Sequence, residues 1–454
     1  MTQKSINPHN NELLGEYPTH TSSEIDQILD RSQLAQGKWK KENIKTRSDL
    51  LLKFSKVLSD NKQGIAELIS LEMGKPIKES FAEIDKSIWC IEYYAERASG
   101  LLSIERIDTE AFRTYVTKEP LGVILGVMPW NFPLWQVVRF AIPTLLAGNS
   151  IVIKHASNIP QFSQFLELLF TRSEFPEDLY LNVLTDRVGV EQMLHNHYIK
   201  GVSVTGGTKA GSAIGSIAGS VQKKSVMELG GSDPFIVFPD ADIRKAAEVA
   251  VRSRMINNGQ SCIAAKRFLI QEKAYQRFLD AFLDELNRLK VGDPLKEDTD
   301  LGPLATASIL ESIDLQIQQS IKMGGRVVIG STRIEKPGNY YSPTVIVDVT
   351  PDMPVMGEET FGPVAAIQTF SQDYEAIQIA NDTEYGLGAS IWTKDHERAE
   401  QLIPQIEAGN VFINQMVRSD PRLPFGGVKR SGYGRELGSF GIHEFVNLKS
   451  VWIE

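Results

Sequence analysis

The feature that most constrains the fold is an alternation of apolar segments with helical segments that begins near Leu121. Apolar runs of about four to eight residues predict buried strands, and apolar residues at three- and four-residue spacing predict helices. Alternation of this kind builds a parallel sheet covered by helices on both faces. A second alternating set begins near Asp233, so we predict an α/β protein with two doubly wound lobes that meet near residues 230–233. Residues 24–100 are predicted to be helices.

Composition narrows the class of protein and of partner. The chain has 454 residues, with 48 Lys and Arg against 57 Asp and Glu, and a net charge of −9. Nucleic-acid binding needs concentrated positive charge, which this chain lacks. A membrane span needs about 20 consecutive apolar residues, and no segment of the sequence has them. Two cysteines cannot form a disulfide framework, and none of the seven histidines has the spacing of a metal ligand. We therefore expect a soluble, cytoplasmic protein with a small-molecule partner, no nucleic-acid or membrane partner and no metal.

The two cysteines have different surroundings in the sequence. Cys90 lies at helical spacing among apolar residues, where a free cysteine behaves as a small apolar side chain. Cys262 lies in a polar, glycine-containing turn between a predicted helix and a predicted strand. A turn of this kind exposes the thiol, and nearby positive potential would favour the nucleophilic thiolate. Taken alone, the pattern fits an ordinary loop cysteine or a catalytic one.

Seven segments, in order along the chain, resemble landmarks of the aldehyde dehydrogenase superfamily. The resemblance extends from about residue 40 to the end, and the order of the segments makes it specific. The short N-terminus, the segments 132–140 (FPLWQVVRF) and 154–158 (KHASN), and the single cysteine in the loop of Cys262 resemble the bacterial succinate-semialdehyde dehydrogenase subgroup of that superfamily. The seven segments are 129–135 (PWNFPLW), 203–211 (SVTGGTKAG), 227–242 (MELGGSDPFIVFPDAD), 255–262 (MINNGQSC), 358–364 (EETFGPV), 410–414 (NVFIN) and 424–438 (PFGGVKRSGYGRELG).

The resemblance implies an architecture of two Rossmann-like lobes with the active site between them. Residues 1–101 and 121–230 are expected to form the cofactor-binding domain, and residues 231–431 the catalytic domain. A hairpin at 102–120 is expected to join the tail, 432–454, in an oligomerisation element of a homodimer or tetramer. The residues alone leave two uses open for the tail, whose strong β-formers fit either another subunit or the chain's own sheet.

The resemblance also assigns the catalytic residues. Cys262 attacks the aldehyde, the resulting thiohemiacetal collapses with hydride transfer to nicotinamide, and a thioester remains. The Asn131 side-chain amide and the backbone N–H of Cys262 are expected to bind the oxyanion. Glu228 is expected to activate the water that hydrolyses the thioester, with a pKa raised by apolar surroundings.

The cofactor residues are expected on the turn after the third strand of the first lobe and on neighbouring loops. The turn lacks a Gly-x-Gly-x-x-Gly pattern, and Gly207 stands where the family usually has a serine. Glu359 and Phe361 match positions that hold the nicotinamide ribose and ring. Ser157 replaces the usual ribose-binding glutamate and lies near the cation Lys154, so we expect NADP to be preferred and NAD to be possible. The full expected set is Trp130, Lys154, Ser157, Thr205, Gly206, Gly207, Gly211, Leu229, Glu359 and Phe361.

The substrate residues are expected on the apolar helix that follows Pro133. Gln136 and Arg139 are its polar exceptions, and a buried guanidinium requires a carboxylate partner. That partner is either an internal Asp or Glu or the carboxylate of an acidic aldehyde, which Ser419 is placed to reach. By resemblance, the predicted reaction is NAD(P)-dependent oxidation of succinate semialdehyde to succinate. The alternatives are a broad-specificity aldehyde dehydrogenase and a non-catalytic protein on the same fold.

Overall fold

A computed structural model describes all 454 residues of the chain, and its first part is mainly helical. The strand β1 (Thr2–Ile6) and the strand β2 (Leu13–Pro18) form an antiparallel hairpin ahead of the helices. The sequence did not predict this hairpin, because Gln3 and Ser5 are the buried residues of β1 and an apolar alternation is therefore absent. The helices that follow are α1 (Ser22–Trp39), α2 (Ile44–Asp60), α3 (Lys62–Met73) and α4 (Ile77–Leu101).

Strands and helices then alternate, as the sequence predicted. The elements up to the lobe boundary are β3 (Glu105–Ile107), β4 (Arg113–Pro120), β5 (Val123–Met128), α5 (Trp135–Leu146), β6 (Ser150–His155), α6 (Pro160–Arg172), β7 (Tyr180–Asn182), α7 (Arg187–His195), β8 (Ile199–Thr205), α8 (Thr208–Ser220) and β9 (Lys224–Glu228). The elements beyond it are β10 (Asp233–Val237), α9 (Ile243–Met255), β11 (Ala265–Gln271), α10 (Glu272–Leu286), α11 (Ala307–Lys322), β12 (Arg326–Ile329), β13 (Thr344–Val347), α12 (Pro354–Gly357), β14 (Val364–Phe370), α13 (Asp373–Asn381), β15 (Gly388–Trp392), α14 (His396–Leu402), β16 (Asn410–Ile413), β17 (Gly432–Tyr433), α15 (Gly438–Ile442) and β18 (Val446–Ile453).

The first lobe is built on a six-stranded sheet with the order β17-β9-β8-β5-β6-β7. Neighbouring strands in this sheet run parallel to each other, except that the short edge strand β17 is antiparallel to β9. The chain runs outward from β5 through β6 to β7 and then returns to β8, so the strand order reverses between β5 and β8. Ligands of open α/β sheets bind outside the carboxyl ends of the strands at such a reversal. The loops after β5 and β8 therefore mark the expected binding crevice.

The second lobe is built on a seven-stranded sheet with the order β12-β13-β14-β11-β10-β15-β16. It is parallel except for the edge strand β12, and its order reverses between β10 and β15. Each sheet has a large apolar core on either face, formed with the helices that cover it. The two-lobed, doubly wound α/β prediction is therefore confirmed, and β10 begins at the predicted boundary.

A third, three-stranded antiparallel sheet has the order β18-β4-β3. The tail strand β18 pairs with β4 of the same chain from Val446 opposite Pro120 to Ile453 opposite Arg113. The predicted tail segment 432–454 is divided, because Gly432–Tyr433 pairs with β9 in the first sheet. No helix of the chain has both the length and the apolar character that crossing a membrane requires.

Candidate active site

The loop before Cys262 has an unusual backbone conformation. After α9 the chain makes a short 3₁₀ turn, Ile256–Gly259, in which Asn257, Asn258 and Gly259 have φ values of 55°, 59° and 77°. Asparagine tolerates this left-handed region better than most residues, and glycine adopts it freely. At Gly259 a Cβ would also lie 2.3 Å from the Gly362 carbonyl carbon, so the close approach of two backbones requires glycine there.

Hydrogen bonds from distant segments hold this turn in place. The Asn258 amide nitrogen donates to the carbonyl oxygens of Gly74 and Pro303, at 2.8 and 2.9 Å. The backbone N–H of Asn257 donates to the Glu79 carboxylate on α4, at 2.7 Å. A left-handed residue other than glycine costs roughly 1–2 kcal/mol, which these bonds offset.

A buried arginine ties the turn to the segment before β14. The Arg254 guanidinium donates to the carbonyl oxygens of Gly259, at 2.6 Å, and Thr360, at 3.2 Å, and it also contacts that of Gly362. Thr360 lies between Glu359 and Phe361, two residues expected at the cofactor. One side chain therefore holds both the turn before Cys262 and the segment 360–362.

Cys262 is half-buried and carries a free thiol. Lys266 donates from Nζ to the Cys262 carbonyl oxygen at 2.7 Å, and Arg139 also contributes positive potential at the thiol. Burial outweighs both cations and raises the thiol pKa to about 11. Two cations therefore lie near the thiol, but burial has the larger effect on its pKa.

Asn131 lies against the catalytic turn, at the carboxyl end of β5. Its side-chain Nδ2 donates to the Gln260 backbone carbonyl oxygen at 3.0 Å. The backbone carbonyl oxygen of Asn131 accepts from Asn257 Nδ2 at 2.7 Å. A side-chain amide has two N–H donors, and this contact uses one of them. The second N–H of Asn131 is available for another acceptor beside the loop of Cys262.

Glu228 ends β9 and is buried. Burial raises its pKa well above the ordinary glutamate value, Arg139 opposes the rise, and the neighbouring Glu436 carboxylate adds to it. The direction of the pKa shift is the one that the sequence predicted. Glu228 Oε2 lies 3.9 Å from Arg139 Nη2, and its Oε1 has no hydrogen-bond partner.

The environment of Arg139 contains one of the two carboxylate partners that the sequence left open. The guanidinium forms a buried ion pair with Glu436, lies near Glu228 and donates to the Thr205 hydroxyl at 3.3 Å. It also stacks over the Phe425 ring, 5.0 Å from the ring centroid. Arg139 therefore has the internal carboxylate partner that the sequence left open, and its burial alone does not call for an acidic substrate.

Cys262 opens onto a cavity of about 640 Å³ between the two lobes. Four of the predicted substrate and catalytic side chains line it; they are Gln136, Arg139, Cys262 and Ser419. Asn131 and Glu228 do not line it; Glu228 lies behind Arg139. Its wall combines apolar side chains with charged ones, among them the buried Glu83 and Arg139. The remaining lining residues are Lys78, Glu79, Ala82, Glu83, Lys86, Phe132, Trp135, Glu248, Val251, Arg252, Met255, Ile256, Ser261, Ile263, Glu285, Arg288, Leu289, Asp300, Met416, Val417, Arg418 and Phe425.

The turn after β8 faces open space. A methyl group added at Gly206 or Gly207 would meet no atom within 4 Å, and α8 begins at Gly207 without a side-chain cap. The free N–H groups of a helix start suit a phosphate. Gly211 packs directly against the Leu229 side chain, because a Cβ at Gly211 would lie only 2.3 Å from Leu229 Cδ2. The Thr205 hydroxyl is engaged by Arg139 rather than facing the turn.

The segment before β14 brings Glu359 next to the catalytic loop. Glu359 Oε1 accepts from the backbone N–H of Gly231 at 2.9 Å and lies 3.5 Å from Lys266 Nζ. Phe361 meets Trp130 edge-on, with 5.7 Å between the ring centroids. Lys266 contacts both Glu359 and the Cys262 carbonyl oxygen, but it was not predicted from the sequence. The only sequence signal for a role near the thiol is its position four residues after Cys262.

The strand β6 brings Lys154 and Ser157 to the same edge of the first sheet. Lys154 is half-buried, and burial lowers its pKa, while Asp186 opposes the change. Ser157 is exposed. Between them, His155 is buried, with its ring nitrogens 2.9 Å from Ser163 Oγ and 3.3 Å from the Pro133 carbonyl oxygen. His155 therefore fills the core, and the other two remain near the surface.

Comparison with known proteins gives one consistent family. The model of the aldehyde dehydrogenase family matches residues 1–451. The chain is 44% identical over 453 residues to a probable NADP(+) succinate-semialdehyde dehydrogenase of a Synechocystis species, with 100% of both chains covered. It is 43% identical to the NAD(P)+ succinate semialdehyde dehydrogenase Sad of Escherichia coli, with 99% of this chain and 97% of that protein covered.

Solved structures agree with the sequence comparison. A structure described as giving insights into cofactor and substrate selection by Gox0499 superposes with a TM-score of 0.98, at 38% identity, over 100% of both chains. A succinic semialdehyde dehydrogenase from Streptococcus pyogenes in complex with NADP+ superposes with a TM-score of 0.97, at 36% identity, over 99% of both chains.

Proposed function

Because the chain belongs to the aldehyde dehydrogenase family, we propose that it oxidises succinate semialdehyde to succinate with NADP as the preferred acceptor and NAD as a possible one. Relatives named for this reaction cover essentially the whole chain at 43–44% identity. The observation that carries the proposal is the cavity of about 640 Å³, because one cavity is lined by Cys262, Gln136, Arg139 and Ser419.

In the proposed reaction, the Cys262 thiol loses its proton to solvent. The thiolate sulfur then bonds to the aldehyde carbon, the carbon–oxygen π bond breaks, and the carbonyl oxygen becomes an oxyanion. Arg139 and Lys266 oppose the effect of burial on the thiol and so stabilise the attacking thiolate. The free N–H of Asn131 and the backbone N–H of Cys262 are the proposed oxyanion donors. A nicotinamide held by Glu359 and Phe361 would supply the acceptor for the hydride that leaves the tetrahedral carbon.

Glu228 is the proposed base of the second half-reaction. Hydrolysis of the thioester needs a base that takes a proton from water, and a carboxylate with a raised pKa does this more effectively near neutral pH. The carbon–sulfur bond then breaks, succinate leaves, and Cys262 regains its thiolate. Glu228 lies behind Arg139, so the Arg139 side chain separates the Glu228 carboxylate from the cavity.

The residues of the first lobe fit a dinucleotide. Open space at Gly206 and Gly207 beside an uncapped helix start accommodates a pyrophosphate. Glu359 and Phe361 would hold the nicotinamide end beside Trp130. Thr205, Gly211 and Leu229 would support this surface from behind it.

Ser157 and Lys154 are the proposed basis of the NADP preference. A neutral hydroxyl and a cation can bind the 2′-phosphate, which a carboxylate at this position would repel. We expect Ser157→Glu to lower kcat/KM for NADP by roughly 10-fold or more while retaining activity with NAD. A strong NAD preference in the unmodified enzyme would contradict the proposal.

The substrate carboxylate is proposed to lie beside Arg139 and Ser419, with Gln136 on the same helix face. Formation of NADPH and NADH from succinate semialdehyde and from butanal, with Cys262→Ala as the inactive control, tests the activity. We expect kcat/KM to be highest for succinate semialdehyde with NADP. Faster turnover of butanal would contradict the proposed substrate.

The three sheets support the proposed division of the chain into domains. We propose that residues 1–101 and 121–230 bind the cofactor, that residues 231–431 carry the catalytic loop, and that 102–120 joins the tail in an oligomerisation element. Exposed apolar side chains of that element would pack against a second copy in a homodimer or tetramer; they include Ile107, Phe112, Leu448 and Trp452. The two free cysteines fit the reducing cytoplasm, which is the proposed location.

A further inference from the structure

Lys86, on the helix α4, lies inside the cavity that Cys262 opens onto. Its ammonium group donates to the Ser419 hydroxyl at 2.7 Å and lies over the Trp135 ring, 4.3 Å from the ring centroid. All four of these side chains line the same cavity. The sequence analysis did not identify Lys86, because a lysine on an amphipathic helix is ordinarily a solvated residue.

The charge of Lys86 has no counter-ion in the protein. No carboxylate oxygen lies within 4 Å of its Nζ, whereas Arg139 is paired with Glu436, and Lys78 with Asp300 at 2.5 Å. The nearby acids have other partners. Arg422 binds Asp420 at 2.7 Å, and Lys75 pairs with Glu83.

The environment of Lys86 makes an unpaired cation unfavourable. Burial, together with repulsion from Arg139, lowers its pKa to about 8, so the ammonium form still predominates at pH 7. An ammonium group has three N–H donors, and the bond to Ser419 uses one. A ligand carboxylate placed here would supply the missing counter-charge and accept from both side chains.

Resting on the proposed function, we propose that Lys86 and Ser419 together form the binding site for the substrate carboxylate, and that Lys86 is the residue that selects acidic over neutral aldehydes. Arg139 lines the same cavity, but Glu436 already balances its charge, so Lys86 supplies the unbalanced positive charge for a carboxylate placed beside Arg139 and Ser419. The Trp135 ring beneath the Lys86 ammonium provides an apolar wall for the methylene carbons of the substrate.

The test compares an acidic and a neutral aldehyde of the same chain length. For Lys86→Met, we expect kcat/KM for succinate semialdehyde to fall roughly 10- to 100-fold and that for butanal to change by less than about threefold. Lys86→Arg keeps the charge and is expected to retain most of the preference. The matched control is Lys62→Met, because Lys62 also lies over an aromatic ring, Phe81, but outside the cavity.

Two outcomes would overturn the inference, and they differ from failure of the proposed function. If the unmodified enzyme oxidises succinate semialdehyde but Lys86→Met lowers both activities equally, Lys86 has only a structural role. If Lys86→Met leaves both activities unchanged, the carboxylate binds elsewhere. If the unmodified enzyme does not oxidise succinate semialdehyde, the proposed function itself fails. Stabilisation by succinate in thermal unfolding gives a second readout, which we expect Lys86→Met and Ser419→Ala to abolish and Lys62→Met to retain.

Discussion

At the scale of single residues, Glu228 combines burial with a neighbouring cation and a neighbouring carboxylate. The raised pKa means that the carboxylate form is lost at a higher pH than for an exposed glutamate. Because the base must be unprotonated, the rate of thioester hydrolysis is expected to fall as pH decreases through that pKa. A steady-state rate that is limited by this step then rises toward alkaline pH.

We expect Glu228→Gln to separate the two half-reactions. The variant should release NADPH in a first-turnover burst, while kcat falls about 10²- to 10⁴-fold and loses its acid limb. Rapid-mixing absorbance at several pH values measures both phases. Wild-type turnover in the variant would mean that another group activates the water.

His155 makes acid stability a second residue-scale prediction. Burial lowers its pKa from 6.5 to about 4, because the neutral ring is the form that fits the core. The unfolded chain therefore binds the proton first, and the stabilisation present above pH 6.5 is lost as pH falls toward 4. The full contribution is about 3 kcal/mol.

Urea unfolding between pH 7 and pH 4.5 measures this contribution. His155→Gln is expected to show a shallower loss of stability than the wild type over this interval. The control His195→Gln changes an exposed histidine and should keep the wild-type slope. Equal slopes in all three proteins would mean that other groups cause the acid sensitivity.

Some of these residue environments could be predicted from the sequence, and others could not. The loops of Cys262 and Asn131 carry local patterns that the family shares. The Arg139 partner is Glu436, which is almost 300 positions away in the chain, so only the folded structure identifies it among many acids. Lys86 has no local signal, because its neighbours Ser419 and Trp135 come from other parts of the chain.

At the scale of elements, α4 contributes more to the site than its sequence indicated. Its Glu79 fixes the catalytic turn, and its Glu83 accepts from the backbone N–H groups of Leu134 and Trp135, at 2.9 Å each. Glu83 thereby caps the start of α5, three residues after Asn131. It also forms a fully buried ion pair with Lys75.

Glu83→Gln tests this capping role. We expect a loss of roughly 3–5 kcal/mol in unfolding free energy, because Lys75 is left buried without its counter-ion. The double variant Lys75→Met/Glu83→Gln should recover part of that stability, and its kcat should stay low if the cap positions Asn131. Denaturant unfolding and kcat are measured together, with the exposed, same-helix Glu96→Gln as a control expected within about 0.5 kcal/mol.

The elements also show where periodicity fails. Strand–helix alternation predicted both lobes correctly, because buried parallel strands are apolar on both faces. The hairpin of β1 and β2 was missed, since its buried positions are polar. The pairing of Gly432–Tyr433 with β9 was missed as well, because a two-residue strand carries no measurable period.

At the scale of the whole molecule, the three-stranded sheet projects apolar side chains into solvent. Leu448 and Trp452 on β18 are 58% and 50% exposed, and Phe112 near β4 is 82% exposed. A contiguous exposed apolar surface on a sheet edge favours association. The proposed oligomer therefore depends on this sheet.

Replacing both Leu448 and Trp452 by Asp is expected to convert the oligomer to a 50.6 kDa monomer. Light scattering coupled to size exclusion measures the mass. Leu34→Asp is the matched control, because Leu34 is 69% exposed on α1, away from the sheet. A monomeric wild type, or an unchanged mass in the double variant, would contradict this arrangement.

The left-handed turn at 257–259 has a consequence for engineering the enzyme. Only a few residue types tolerate three successive positive φ angles, so a randomised library at these positions would yield almost exclusively asparagine, aspartate and glycine among active clones. The walls supplied by α4 and by residues 416–419 have no residue with positive φ. Substitutions intended to change aldehyde specificity are therefore best made in those walls, where side chains can change without altering the backbone conformation around the thiol.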